Sequence, residues 1–161
     1  MTYDPVVISH LRALAAKGDD HIDAVAGDVA KATAVLDAVQ ATGLIDLGQP
    51  VCLIAAMVLH FLDAVTAREV TAAYIAGLAP GSHVIITVGC GDPAIGEQIT
   101  RTYNAARVFN HTAEEVVSFF TGLELITPGV ADARASRPGW QTPAPFQQRL
   151  GQVLAGIGIK R

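Results

Sequence analysis

From Val51 to Leu59 the chain runs through nine consecutive apolar residues, and His60 ends the run abruptly. Asp46, Gly48 and Pro50 form the turn that feeds it. A strand that is apolar at every position is expected to be buried on both faces, as in a parallel sheet covered by helices. In such sheets ligands bind beyond the carboxyl ends of the strands, which is where His60 falls. The same run is about half of the roughly 20 residues a membrane-spanning helix needs.

The rest of the chain alternates helix and strand signals. Asp4-Pro5 starts a helix, with Asp as cap and Pro at the first helical position; Ile8, Leu11, Leu14 and Ala15 share one face and Gly18 stops it. Residues 21–26 alternate polar and apolar and read as a short strand near the sheet edge. Gly27-Asp28 then turns the chain into a helix over about 29–41, with Val35, Leu36 and Val39 inward and Gly43 as its stop. After the strand at 51–58, Thr66 to Glu69 reads as a capping box opening a helix that Pro80-Gly81 ends. Residues 83–88 form a second buried strand, and Gly89-Cys90-Gly91-Asp92-Pro93 is the loop into another helix. A second capping box, Thr112 to Glu115, opens the helix 112–121 bearing Val116, Phe119 and Phe120. A strand at 123–126 stops at Pro128-Gly129, residues 131–145 read as a loop, and 153–161 reads as a last strand. This order predicts βαβ units and a parallel sheet in one domain spanning 1–161, with no repeat or linker.

Hydrophobic residues make up 51% of the chain and its mean hydropathy is +0.39, which buried strands and Ala-rich helices account for. The sequence carries no basic start followed by an apolar core and a cleavage site. A net charge of −4, a pI near 5.6 and the lack of a Lys/Arg cluster speak against nucleic acid as a partner. Cys52 and Cys90 have no disulfide or zinc spacing, and histidines 10, 21, 60, 83 and 111 have no metal-ligand spacing, so no metal is expected. Cytoplasm is the expected compartment. Neither a Gly-x-Ser-x-Gly elbow nor a Gly-Lys-Ser/Thr phosphate loop occurs, which removes hydrolase and nucleotide triphosphatase readings.

Four segments carry a resemblance. They are Tyr3-Asp4-Pro5-Val6-Val7, the stretch from Gly43 through Leu59-His60-Phe61, the stretch His111 to Leu125, and Val153 to Arg161. In this order and spacing they resemble the class I S-adenosylmethionine-dependent methyltransferases long known only as a domain of unknown function. The resemblance implies a Rossmann-like, doubly wound α/β sheet, S-adenosyl-L-methionine as cofactor and a small molecule as methyl acceptor. In that family a first strand and a glycine-rich cofactor loop come earlier than Met1, so the resemblance makes the chain N-terminally incomplete. Poor cofactor binding and a homodimer that covers the exposed strand edge are expected from this.

The resemblance also distributes roles. Asp28 corresponds to the acidic residue after strand three, its carboxylate accepting from the adenine amino group while the Val29 N–H faces the ring; the plainer reading is a helix cap. Tyr3 and Asp4 lie where the cofactor's ribose is bound, although the family's ribose-binding acid itself falls at Thr2. His60, with an ordinary pKa near 6.5, would face the acceptor and take its proton as the methyl group moves, or else would pack and order its loop. Phe61 and Cys90 would line the acceptor side. Gly89-Cys90-Gly91 looks like the glycine-rich cofactor loop, but Thr87 stands where that loop has an acid two residues earlier, so it is assigned to the loop after strand five. The alternative to an enzyme is a non-catalytic remnant of the fold serving as an interaction or dimerisation module.

Overall fold

The computed structural model describes residues 5–15, 21–91, 93–103, 107–133 and 152–161. Its helices are α1 (Pro5–Ala15), α2 (Ala32–Gln40), α3 (Ala64–Ala76), α4 (Pro93–Tyr103) and α5 (Ala113–Ser118). Its strands are β1 (Cys52–Ala56), β2 (His83–Cys90), β3 (Glu124–Leu125), β4 (Ala131–Asp132) and β5 (Gln152–Ile159), with a 3-10 turn at Leu59–Phe61. The sheet order is β1-β2-β5-β3, and β4 also pairs with β5. β1 and β2 are parallel, joined through α3, and β5 runs antiparallel to β2, β3 and β4. The expected α/β class holds, with a mixed sheet.

One face of that sheet carries the core. Val84, Ile86 and Val88 of β2 are at most 1% exposed, each burial being worth roughly 1.5–3 kcal/mol. Opposite them on β5 stand Gly158, Gly156 and Leu154. The two glycines leave room: a Cβ at Gly156 would lie 2.7 Å from Phe120 Cζ, and one at Gly158 2.8 Å from Leu123 Cβ. Phe119 and Phe120, just past α5, and Val116 within it complete the layer. A second cluster joins α2 to α3 through Ala32, Val35, Val70 and Tyr74.

Several expectations are corrected. β1 is not buried on both faces: Cys52, Ile54 and Ala56 are exposed, with Ile54 at 62%, while Leu53 and Ala55 are half-buried. Continuous apolarity reports what a strand tolerates, and among the described residues only the Leu53 and Ala55 face of β1 is covered. Residues 21–26 form no strand; Arg12 Nε donates to the Ala24 carbonyl and ties this extended segment to α1. On α1 itself Ile8 is buried, but Leu11 and Leu14 are about half exposed (45% and 53%). The cap of α3 is Asp63, not Thr66: its carboxylate accepts from the N–H groups of Val65 and Thr66 and from the Thr66 hydroxyl. Asp outranks Thr as a cap, and the helix gains most of a turn. The Thr112–Glu115 capping box forms as expected, at the head of a helix shorter than predicted. The region expected to be one long loop contributes β4. At the far end of β5, the Lys160 ammonium donates to the carbonyls of Ile75, Ala76 and Leu78, satisfying the carboxyl end of α3.

Candidate functional site

The carboxyl ends of the parallel strands β1 and β2 are built as one unit. Met57 leaves β1 with φ of 50°, a left-handed conformation that a non-glycine side chain adopts at a cost of about 1–2 kcal/mol. Its N–H is held by the carbonyl and hydroxyl of Thr87, the β2 residue paired with Ala56. Backbone outliers of this kind cluster at functional sites. From Met57 the chain enters the 59–61 turn, where Leu59 is buried, His60 is half-buried and Phe61 is exposed, the rings of the last two lying 4.3 Å apart.

Two contacts fix that turn. The Phe109 N–H donates to the His60 carbonyl at 2.7 Å. The buried His111 lies with Nε2 at 3.3 Å from the Leu59 carbonyl oxygen, and its ring meets Phe119 edge to face at 5.1 Å. His111 pairs in turn with Cys90 in a parallel bridge that extends β2 toward the site. Cys90 is the last residue of β2 rather than a loop residue. His60, Phe61 and Cys90 therefore gather at one end of the sheet, and His111, which the sequence reading left unassigned, is the post between them. The capping box from Thr112 to Glu115 is visible in the sequence; the buried ring just before it leaves no sequence signal.

The chemistry of these groups is constrained. Burial, reinforced by the neighbouring His111, lowers the His60 pKa below 6.5, so the ring is neutral at pH 7. A neutral imidazole carries one N–H. Nδ1 of His60 is buried without a hydrogen-bond partner among the described residues. A buried N–H without an acceptor is the more costly orphan, so the proton belongs on Nε2 and the ring presents a donor there. Burial, then the carboxylates of Glu114 and Glu115, push the Cys90 thiol up, so it stays protonated and is no nucleophile.

Asp28 lies elsewhere, within electrostatic reach of Tyr74 on α3. It precedes a turn rather than a helix, with the Lys31 N–H on its carbonyl and the Ala30 N–H on its carboxylate; α2 starts only at Ala32. Burial first and the charge of Asp28 second push the Tyr74 phenol up to about 12. Val29 and Tyr74 line an apolar cleft of about 280 Å³ with Leu53, Ala55 and Leu59 of the β1 region. An apolar wall of this kind suits the flat face of a purine ring. Tyr3 and Asp4 lie outside the described residues, as do Thr2 and Asp92.

In open α/β sheets ligands bind beyond the carboxyl ends of the parallel strands, which is where this constrained turn and its histidine lie. The chain belongs to the S-adenosyl methyltransferase family, whose profile matches residues 1–161, and S-adenosylmethionine is that family's cofactor. No protein with a curated description matches it. Among solved structures, a Thermobifida fusca protein assigned provisionally to the methyltransferases is 32% identical, with a TM-score of 0.83 over 99% of this chain and 61% of that one. A Streptomyces avermitilis protein of a family named only as a domain of unknown function is 23% identical, TM-score 0.73, over 99% and 63%. The geranyl diphosphate C-methyltransferase of Streptomyces coelicolor, solved with Mg²⁺, geranyl diphosphate and S-adenosyl-L-homocysteine, shares the fold at 12% identity, TM-score 0.65, over 99% and 61%. The chain thus spans about three fifths of the length of these proteins. No helix among the described residues is long and apolar enough to cross a membrane.

Proposed function

We propose that this protein takes part in methyl transfer from S-adenosylmethionine to a small molecule, with the acceptor at His60, Phe61 and Cys90. The observation that carries this is the convergence of those three residues at the carboxyl ends of adjacent parallel strands in a chain of this family. The cofactor, when bound, supplies an electrophilic methyl group on a sulfonium. Asp28 and Val29 would hold its adenine, and Tyr3 and Asp4 remain assigned to the ribose side. His60 positions the acceptor by donating from Nε2 rather than by removing a proton, which suits a reaction in which alignment matters more than base strength. The proposed compartment is the cytoplasm, on composition and cysteine usage.

A second reading, an interaction module without catalysis, draws on the open edge of β1. β1 has one strand neighbour among the described residues and exposes Ile54 beside that edge. Unpaired apolar edges promote strand pairing, so we propose a homodimer through β1 in either reading. Thermal unfolding with and without S-adenosylhomocysteine separates the two: a ligand of the native state raises the midpoint by mass action. A rise that Asp28→Ala diminishes supports the enzyme reading, and an unmoved midpoint at millimolar ligand sinks it. Light scattering that finds a monomer at every concentration removes the dimer.

A further inference from the structure

Next to the His60 turn, α4 and residues 107–110 enclose a cleft of about 460 Å³ lined by Glu97, Thr100, Arg101, Arg107, Phe109 and Asn110. Its two walls are tied. The Val108 N–H donates to the Thr100 hydroxyl at 2.8 Å, and that hydroxyl donates to the Gly96 carbonyl at 2.9 Å. Gly96 is needed for this approach, since a Cβ there would lie 3.1 Å from the Val108 carbonyl oxygen. The segment is tied to the site as well, because the Phe109 N–H that holds the His60 carbonyl belongs to it.

The cleft has a cationic end. Arg101 is matched by Glu97 at 3.6 Å. Arg107 has no carboxylate partner among the described residues; its guanidinium lies over the Phe109 ring, 4.8 Å from the centroid. An arginine laid on an aromatic face keeps its planar fork of donors directed outward and is less costly to order around an anion. A neutral or cationic ligand would leave the Arg107 fork unmatched.

We propose that the 107–110 cleft is the subsite for an anionic group, carboxylate or phosphate, on the methyl acceptor, with Arg107 as its fork and Phe109 as its floor. This rests on the reading that the acceptor lies at the His60 end of the sheet. Arg107 is a binding and specificity residue here; methyl transfer itself takes place at the strand ends.

Benzoate and inorganic phosphate are the probes, titrated separately into the full chain while nitrogen-15 NMR follows the Arg107 side chain and the amides of 107–110. At least one should saturate with a Kd on the order of 1 mM, a weak single-group affinity. Arg107→Gln should weaken that probe about tenfold, as expected for loss of one charged hydrogen bond. Arg107→Lys should weaken it less, and Arg12→Gln should leave it unchanged. Tighter benzoate points to a carboxylate source, tighter phosphate to a phosphate ester. If neither saturates, or if Arg107→Gln binds like the parent protein while keeping a native spectrum, the inference is overturned. S-adenosylhomocysteine, measured on the same samples, keeps the two questions apart. Anion binding without it leaves the subsite standing and the methyltransferase reading fallen, and the reverse result does the opposite.

Discussion

Replacing His111 by Leu tests the post that holds the 59–61 turn. Leucine fills much of the space of the imidazole but donates nothing. The Leu59 carbonyl, on a residue 1% exposed, would lose the ring nitrogen at 3.3 Å. It would keep the Leu62 N–H at 3.0 Å, so it is not left wholly without a donor. The hydrogen bond is therefore worth about 1 kcal/mol rather than the larger cost of an orphaned buried group. The edge-to-face contact with Phe119 at 5.1 Å adds about 0.5–1.5 kcal/mol. Glu115, 3.8 Å from Nδ1 and 41% exposed, adds little. The sum is about 1.5–2.5 kcal/mol, read as a lower urea midpoint with unchanged slope. In a domain of this size that lowers Tm by about 3–10 °C. His111→Gln, which retains a donor, should recover at least half of the loss. Nitrogen-15 spectra of the histidine rings should show His60 shifted in the Leu variant and close to native in the Gln variant. If the Leu variant is within about 0.5 kcal/mol of the parent, inside the range of an ordinary surface change, or if Gln is as damaging as Leu, the turn does not depend on this ring.

Two further outcomes are expected. The folded-state pKa of His60 is depressed while the unfolded chain protonates near 6.5, so its contribution is complete above that value and is lost as pH falls through the folded value. Urea midpoints measured from about pH 7 to about pH 5 should fall more steeply for the parent than for His60→Leu; equal slopes would remove the effect. Gly156→Ala places a Cβ 2.7 Å from Phe120 Cζ and 3.1 Å from Val130 Cγ2, and should destabilise by about 1–3 kcal/mol in chemical denaturation. A neutral or stabilising alanine there would mean that Phe120 does not rest on β5.

Much of the fold was legible because its signals are local. The run 51–59, the Thr112 capping box and the Pro128-Gly129 stop each combine residues close in the chain, and β1, α5 and the end of β3 lie at or near them. What failed depended on distant neighbours. Residues 21–26 alternate like a strand but pair with none in the described structure, and Asp63 outcompeted Thr66 for the helix start although both are reasonable caps. The exposed face of β1 was illegible because hydrophobicity does not say which neighbour covers a side chain. For the site, His60, Phe61 and Cys90 were found by strand-end position. His111 and Arg107 were missed because their roles come from a carbonyl 52 residues away and from the face of a nearby ring.

β5 lies between β2 on one side and β3 and β4 on the other, yet it follows all of them in the chain. During synthesis β1, α3 and β2 can assemble as a local unit, but the second edge of β2 must wait for a strand made more than 60 residues later. Until then β2 is paired along one edge only, by β1, and β3 and β4 lack their partner β5. Such long-range closure slows folding and lengthens the time in which a hydrophobic strand edge is exposed. The nascent protein is thus expected to lean on chaperones late in translation, and stalling the ribosome before residue 152 should leave a species that binds them most strongly.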